Sequence, residues 1–319
     1  MSRPLIHIGF HKTGSTLLQQ RLFNRADLGF ERVDRESIHA AFVRYGPFEA
    51  LKREPAAALR QQADAAEHRG HRLVLSHERL SGYPGTGGFD SQAIADRIHL
   101  LFPAAHILIL VREQRSMVKS YYLQYISDGG HLSFRRLLDH PEPHLYRSPG
   151  FDLGFFEYDR CVAYYQRLFG VENVTVLPFE MFLSDPERLA QRILELGGGD
   201  YSHGVPEDIF ATQINTANPM LMQIAGRCLN GLLTRNQLSN WGPINVRHFR
   251  GVYRRLRPLF APFRFADAPL IRRLEAQIAE AIGDRYAEPN ARLAALTRLD
   301  LAACGYSVAP SGRAAVSDG

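Results

Sequence analysis

The stretch Ile6-His7-Ile8-Gly9-Phe10-His11-Lys12-Thr13-Gly14-Ser15-Thr16-Leu17-Leu18-Gln19-Gln20 sets the reading of the chain. Leu5 to Ile8 is a short apolar run with β-branched residues, closed by Gly9, and reads as a buried strand. From Ser15 to Phe23 the leucines fall at helical spacing, with Gln and Arg on the other face. Between them, Gly9 to Thr16 is a strand-to-helix loop of small and hydroxyl residues. Such a loop aims backbone N–H groups and a helix N-terminus at one spot, which suits a phosphate.

The nucleotide P-loop, G-x-x-x-x-G-K-[ST], shares the spacing of Gly9 and Gly14, but Ser15 stands where that motif needs lysine. The lysine lies inside the loop instead, at Lys12. A cation there sits over a terminal 5′-phosphate and its leaving bond, not beyond it.

At 319 residues the chain can bury one large core or two modest ones. Hydrophobic content of 45% and charged content of 22% are those of an ordinary globular protein. No apolar run approaches the roughly 20 residues of a membrane span, and with the first strand expected from Leu5 no signal peptide is expected. Three scattered cysteines, Cys161, Cys228 and Cys304, suggest neither a disulfide framework nor a metal site. A cytoplasmic location is expected. The net charge of +5 is carried almost wholly by arginine, with lysine only at positions 12, 52 and 119. Lys12 is therefore conspicuous, because a compact ammonium acts differently from a planar guanidinium.

Further along, a short strand is expected near Gly29 to Val33, a surface helix over Glu54 to Arg69, and a buried strand at Arg72 to Ser76. The exit of that strand, Ser76-His77-Glu78-Arg79-Leu80-Ser81-Gly82, precedes a helix capped by Asp90 or Ser91 and ending near Leu101. Ala105 to Val111 is the most continuous apolar strand and leads into a helix over roughly Gln114 to Ile126. A helix at Leu153 to Phe169, a strand at Asn173 to Leu177 and a helix at Pro186 to Leu196 follow. Beyond residue 200 the clearest helices are Met220 to Leu233 and Leu270 to Ile282, and residues 307–319 read as a flexible tail. This alternation implies βαβ units and a parallel sheet covered on both faces, with ligands outside the carboxyl ends of the strands. Three of those ends carry polar, reactive groups: Lys12, His77 with Glu78, and Arg112.

The third exit reads Arg112-Glu113-Gln114-Arg115-Ser116-Met117-Val118-Lys119-Ser120-Tyr121-Tyr122. An Arg fork at the strand tip and the Ser120 hydroxyl could hold a second phosphate through charge-assisted bonds. Here the chain resembles sulfotransferases that use 3′-phosphoadenosine 5′-phosphosulfate (PAPS). Their 5′-phosphosulfate loop, K-[ST]-G-[ST]-[ST], is matched by Lys12-Thr13-Gly14-Ser15-Thr16. Their 3′-phosphate motif, an apolar strand followed by R-x7-S and aromatics, is matched by ILILVREQRSMVKSYY, from Ile107 to Tyr122. The resemblance extends loosely through Phe151 to Leu196 and to Tyr286-Ala287-Glu288-Pro289-Asn290, and is nearest to bacterial and Golgi-type carbohydrate sulfotransferases. The C-terminal R-K-G segment of cytosolic small-molecule sulfotransferases is missing.

The resemblance implies a P-loop-like sulfotransferase fold: an α/β domain over residues 1–306, with a central parallel sheet of about five strands and a helical C-terminal part. It implies in-line transfer of a sulfuryl group from PAPS to an acceptor hydroxyl or amine, leaving adenosine 3′,5′-bisphosphate, without a metal. Lys12 would neutralise the leaving phosphate, and Thr13, Gly14, Ser15, Thr16 and Leu17 would hold the 5′-phosphate. Arg112 and Ser120 would hold the 3′-phosphate. Glu78 resembles the glutamate base of several glycan sulfotransferases, while His77 is the alternative base because histidine titrates in the useful range. Adjacent residues on an extended segment point opposite ways, so one of the two faces the site. His11 could also touch the acceptor.

The partners expected are PAPS and a small-molecule or glycan acceptor, with no nucleic acid; peripheral membrane contact is left open by the basic, aromatic stretch Arg247 to Arg257. The long segment 127–150, rich in Gly, Pro and His, suits an acceptor-binding loop. Gln213 to Asn218 resembles an Asn-rich segment beside the nucleotide in related bacterial proteins. Two other readings stand beside this one. A P-loop phosphotransferase or NTPase would bind ATP with magnesium, and a non-catalytic nucleotide-fold binder would hold an anionic partner without turnover.

Overall fold

The computed structural model of the chain describes residues 3–46, 48–139, 150–198, 205–206, 209, 218–232, 255 and 257–310. Most of the 140–150 part of the long loop, residues 213–217, most of the basic stretch 247–257 and residues 311–319 lie outside the described residues. The chain forms two compact units. One comprises Met1–Glu113, Asp152–Gln213 and Asp284–Gly319; the other comprises Gln114–Phe151 and Ile214–Gly283.

The first unit holds five parallel strands: β1 (Leu5–Gly9), β2 (Phe30–Arg32), β3 (Arg72–Ser76), β4 (His106–Val111) and β5 (Val174–Pro178), in the order β2-β3-β1-β4-β5. The expected α/β architecture with a five-stranded parallel sheet is thus observed. Strands β1 and β4 are buried along their whole length, as a doubly covered sheet requires of its centre. Helix α1 (Ser15–Arg21) follows β1, α2 (Arg35–Ile38) and α3 (Arg53–His68) lie between β2 and β3, and α4 (Ser91–Leu101) lies between β3 and β4. Leu5, Leu18, Leu22, Phe23, Val74, Leu108, Leu110, Leu177, Leu189 and Ile193 build one continuous core. β1 lies between β3 and β4, so the chain fills one side of β1 before crossing to the other, and the carboxyl ends of these three strands are where a sheet of this kind takes a ligand.

Several local expectations are revised. The helix expected over Leu153 to Phe169 is a 3-10 turn, Leu153–Phe156, followed by a helix, Tyr158–Phe169. The break at Glu157 directs its buried carboxylate to Arg160, at 2.9 Å, and Arg285, at 3.3 Å. Asp90 precedes α4 but does not cap it, because its carboxylate is paired with Arg79. Residues 34–43, for which no element is expected above, contain α2 and a π-helical continuation, His39–Val43. A helix at Ala287–Thr297 accepts the chain beyond it: Asn290 Nδ2 donates to Ser307 O (2.8 Å) and Ala309 N to Ala287 O (3.0 Å).

The second unit is helical. Helix Gln114–Ser127 buries Met117, Val118, Tyr121, Tyr122, Tyr125 and Ile126, and helices Met220–Asn230 and Asp267–Ile282 pack on it. Lys119 Nζ pairs with Glu275 Oε1 at 2.6 Å, and Asn230 Nδ2 ties the carbonyls of Ile126 and Gly130. No helix among the described residues is long and apolar enough to cross a membrane.

Candidate functional site

The loop after β1 is shaped by its backbone. Gly9 (φ 99°), Lys12 (φ 63°) and Gly14 (φ 82°) occupy the left-handed region, which for lysine is an uncommon and strained choice. Thr13 Oγ1 donates to Phe10 O (2.6 Å), buckling the loop, and the Phe10 N–H donates to Leu110 O of β4 (2.8 Å). Gly14 starts α1 with no side-chain cap, and a Cβ there would lie 2.9 Å from the Phe182 ring. The Ser15 hydroxyl is buried without a partner. Thr16 and Lys12 are exposed and Leu17 is half-buried. An uncapped helix start, a glycine where a side chain has no room and an unsatisfied hydroxyl fit an anionic oxygen group on this loop.

The β4 exit meets the same loop. Arg112 Nη1 donates to Lys12 O (3.0 Å), and the guanidinium lies 4.4 Å from the Phe179 ring centre. Burial, opposed chiefly by Glu180, lowers the Arg112 pKa from its ordinary value, so the group gains from a further anionic partner. Its own carbonyl accepts from Tyr158 Oη (2.9 Å). Glu180 accepts from the Glu113 N–H (2.9 Å) and from Tyr306 Oη (3.1 Å), fixing the turn after Arg112. Ser120 lies half-buried on the helix Gln114–Ser127 of the second unit.

At the β3 exit, Glu78 begins a single 3-10 turn, Glu78–Ser81. A Cβ on Gly9 would lie 3.0 Å from Glu78 Cα, so this turn packs directly on the loop after β1. The Glu78 side chain is about one-third exposed, while that of His77 is buried. His77 Nδ1 accepts from the Arg79 N–H (2.9 Å), and its Nε2 lies 3.2 Å from Nε2 of His39. Burial first, then His39, lowers His77 to about 3. Both ring nitrogens of His77 are thus engaged and the imidazole is neutral. His11 has its Nδ1 buried without a partner, sits edge-on to Tyr83 and is pushed to about 4 by burial, against the opposing pull of Glu78.

The loop after β1, Arg112 and Glu78 are therefore brought together at one end of the sheet within the first unit. His39, Tyr158, Glu180 and Tyr306 belong to the same region, and sequence reading missed all four. Their signal is partnership across 38 to 126 residues, which no local pattern carries. Among the described residues, no group of three His, Cys, Asp or Glu side chains is placed to hold a metal.

No protein-family model and no curated protein sequence matches the chain. Among solved structures it is similar to a sulfotransferase from Alicyclobacillus acidocaldarius, with 20% identity and a TM-score of 0.49 over 80% of this chain and 100% of that one. It is also similar to a sulfotransferase domain from the curacin biosynthetic pathway, with 11% identity and a TM-score of 0.40 over 79% of this chain and 96% of that one.

Proposed function

We propose that the chain is a PAPS-dependent sulfotransferase acting on a hydroxyl of a carbohydrate or glycoconjugate. The observation that carries this reading is the hydrogen bond from Arg112 to the Lys12 carbonyl, which joins two phosphate-type motifs a hundred residues apart. A nucleotide with phosphate groups at both its 5′ and 3′ positions is the ligand these motifs suit together. PAPS, when bound, supplies an activated sulfuryl group on the 5′-phosphate.

The backbone N–H groups of Gly14, Ser15 and Thr16 and the hydroxyls of Ser15 and Thr16 hold the 5′-phosphate, with Thr13 bracing the loop through its bond to Phe10 O; the Leu17 N–H, expected to join them, donates instead to Gly14 O (2.9 Å). Lys12 neutralises the negative charge that grows on the bridging oxygen as the S–O bond breaks, an effect of roughly 3 kcal/mol or more. Arg112 contacts the 3′-phosphate; Ser120 is assigned to it from the Arg-to-Ser spacing alone. Glu78 takes the proton of the acceptor hydroxyl as its oxygen bonds to sulfur, and adenosine 3′,5′-bisphosphate leaves. The engaged, neutral ring of His77 favours Glu78 as that base.

The test is transfer from labelled PAPS to a panel of mono- and oligosaccharides by wild type and Glu78→Gln. Wild type is expected to label a sugar, and Glu78→Gln to lower kcat by about 10²–10⁴-fold with bisphosphate affinity unchanged. Full activity in Glu78→Gln would remove Glu78 as the base. Bisphosphate binding with no transfer to any acceptor would replace the enzyme by a non-catalytic binder.

A further inference from the structure

We infer that His39 is a positioning residue for the reaction: it fixes the tautomer of His77 and, through it, the turn that presents Glu78. The inference rests on the reading of Glu78 as the base. His77 occupies the N-cap position of the turn Glu78–Ser81, and its Nδ1 accepts the Arg79 N–H at 2.9 Å. An imidazole that accepts at Nδ1 while neutral carries its proton on Nε2. That Nε2–H points at Nε2 of His39, 3.2 Å away, so His39 accepts and keeps its own proton on Nδ1. The two rings meet edge to face, with centroids 4.6 Å apart.

The alternative tautomer of His77 would set its Nδ1–H against the Arg79 N–H, donor against donor, and remove the cap. Glu78 stands one residue from the cap and packs on Gly9, so a displaced turn is felt at both the base and the phosphate loop. His39 is itself held firmly. Asp34 caps α2 by accepting from Ser37 N, and Ile38, Ala41 and Phe42 are buried on either side of His39. It opens the π-helical segment His39–Val43, a rare geometry that recurs where a side chain must be aimed. Burial, then Arg35 and Arg44, lowers the His39 pKa, which keeps its acceptor nitrogen available.

The experiment compares wild type, His39→Gln, which retains a side-chain acceptor, and His39→Phe, which retains ring bulk without one. Steady-state kinetics with PAPS are paired with imidazole ¹⁵N spectra at neutral pH. The expected result for His39→Phe is a kcat at least about tenfold lower, with the KM for PAPS and bisphosphate affinity within about twofold of wild type. Its His77 signal should leave the Nε2–H tautomer, and His39→Gln should recover most of both properties. Should His39→Phe fail to fold, His39→Ala takes its place. Wild-type kcat in the acceptor-free variant, or equal loss in the Gln and Phe variants, would overturn the role of His39. Unchanged His77 spectra in the acceptor-free variant would overturn it even if no acceptor is found. Failure of the wild type to transfer any sulfuryl group, with the spectra as expected, would instead defeat the sulfotransferase reading.

Discussion

Lowering the pH from 7 to 5 should remove about 2 kcal/mol of folding stability at His7 alone. His7 sits in the middle of β1 and is fully buried; its Nδ1 is 2.7 Å from Ser76 Oγ, and its Nε2 is buried without a partner. Burial first, then the charge of His77, lowers its pKa from 6.5 to about 3. The folded pKa is depressed, so over this range the unfolded chain binds more protons than the folded one. The stability contribution is complete above pH 6.5 and is lost as the pH falls toward 3. Between pH 7 and 5 the unfolded imidazole passes from about one-quarter protonated to almost wholly protonated, while the folded one stays neutral. Integration gives the stated loss, and below pH 6 the slope approaches 1.4 kcal/mol per pH unit, the value for about one proton. His11, His77 and His106 shift in the same direction, so the comparison must be between proteins. Urea unfolding at pH 5, 6, 7 and 8 is measured for wild type and His7→Asn. The variant should lose about 2 kcal/mol less than wild type between pH 7 and 5. Parallel stability profiles would refute the burial of a neutral imidazole at this position.

Lys12→Ala should depress turnover by about 10²-fold or more while weakening bisphosphate binding far less; equal losses in kcat and affinity would contradict a leaving-group role. Gly14→Ala places a Cβ at a φ of 82° and 2.9 Å from the Phe182 ring. It should cost about 1–2 kcal/mol in denaturant unfolding and weaken bisphosphate binding at least about tenfold; wild-type affinity would contradict the loop's role.

The sheet was legible in the sequence because β1, β3, β4 and β5 are short β-branched or leucine runs bounded by turn residues, and a doubly covered parallel sheet needs little more. The strand-to-helix loop after β1 was legible for a similar reason, since its glycine and lysine positions are set locally. What remained hidden depends on distant partners. The carboxylate of Asp90 suits a helix cap by sequence, yet Arg79 claims it. The helical pattern breaks at Glu157, whose carboxylate pairs with Arg160 and with the distant Arg285. His39 lies in Ser37-Ile38-His39-Ala40-Ala41-Phe42-Val43 with no motif to mark it, and its proposed role follows only from the ring of His77, 38 residues away. The engagement of both His77 ring nitrogens, by the Arg79 N–H and by His39, also lay beyond the sequence, and the proposal of Glu78 over His77 rests on it.

The loop after β1 and Arg112 are proposed to bind one nucleotide carrying both a 5′- and a 3′-phosphate. The most direct test is calorimetric titration with adenosine 3′,5′-bisphosphate, beside ATP with magnesium, in wild type and Arg112→Ala. Tight bisphosphate binding that weakens about tenfold or more in the variant is the predicted result. Binding of ATP with magnesium alone would contradict it and make the chain a P-loop phosphotransferase or NTPase.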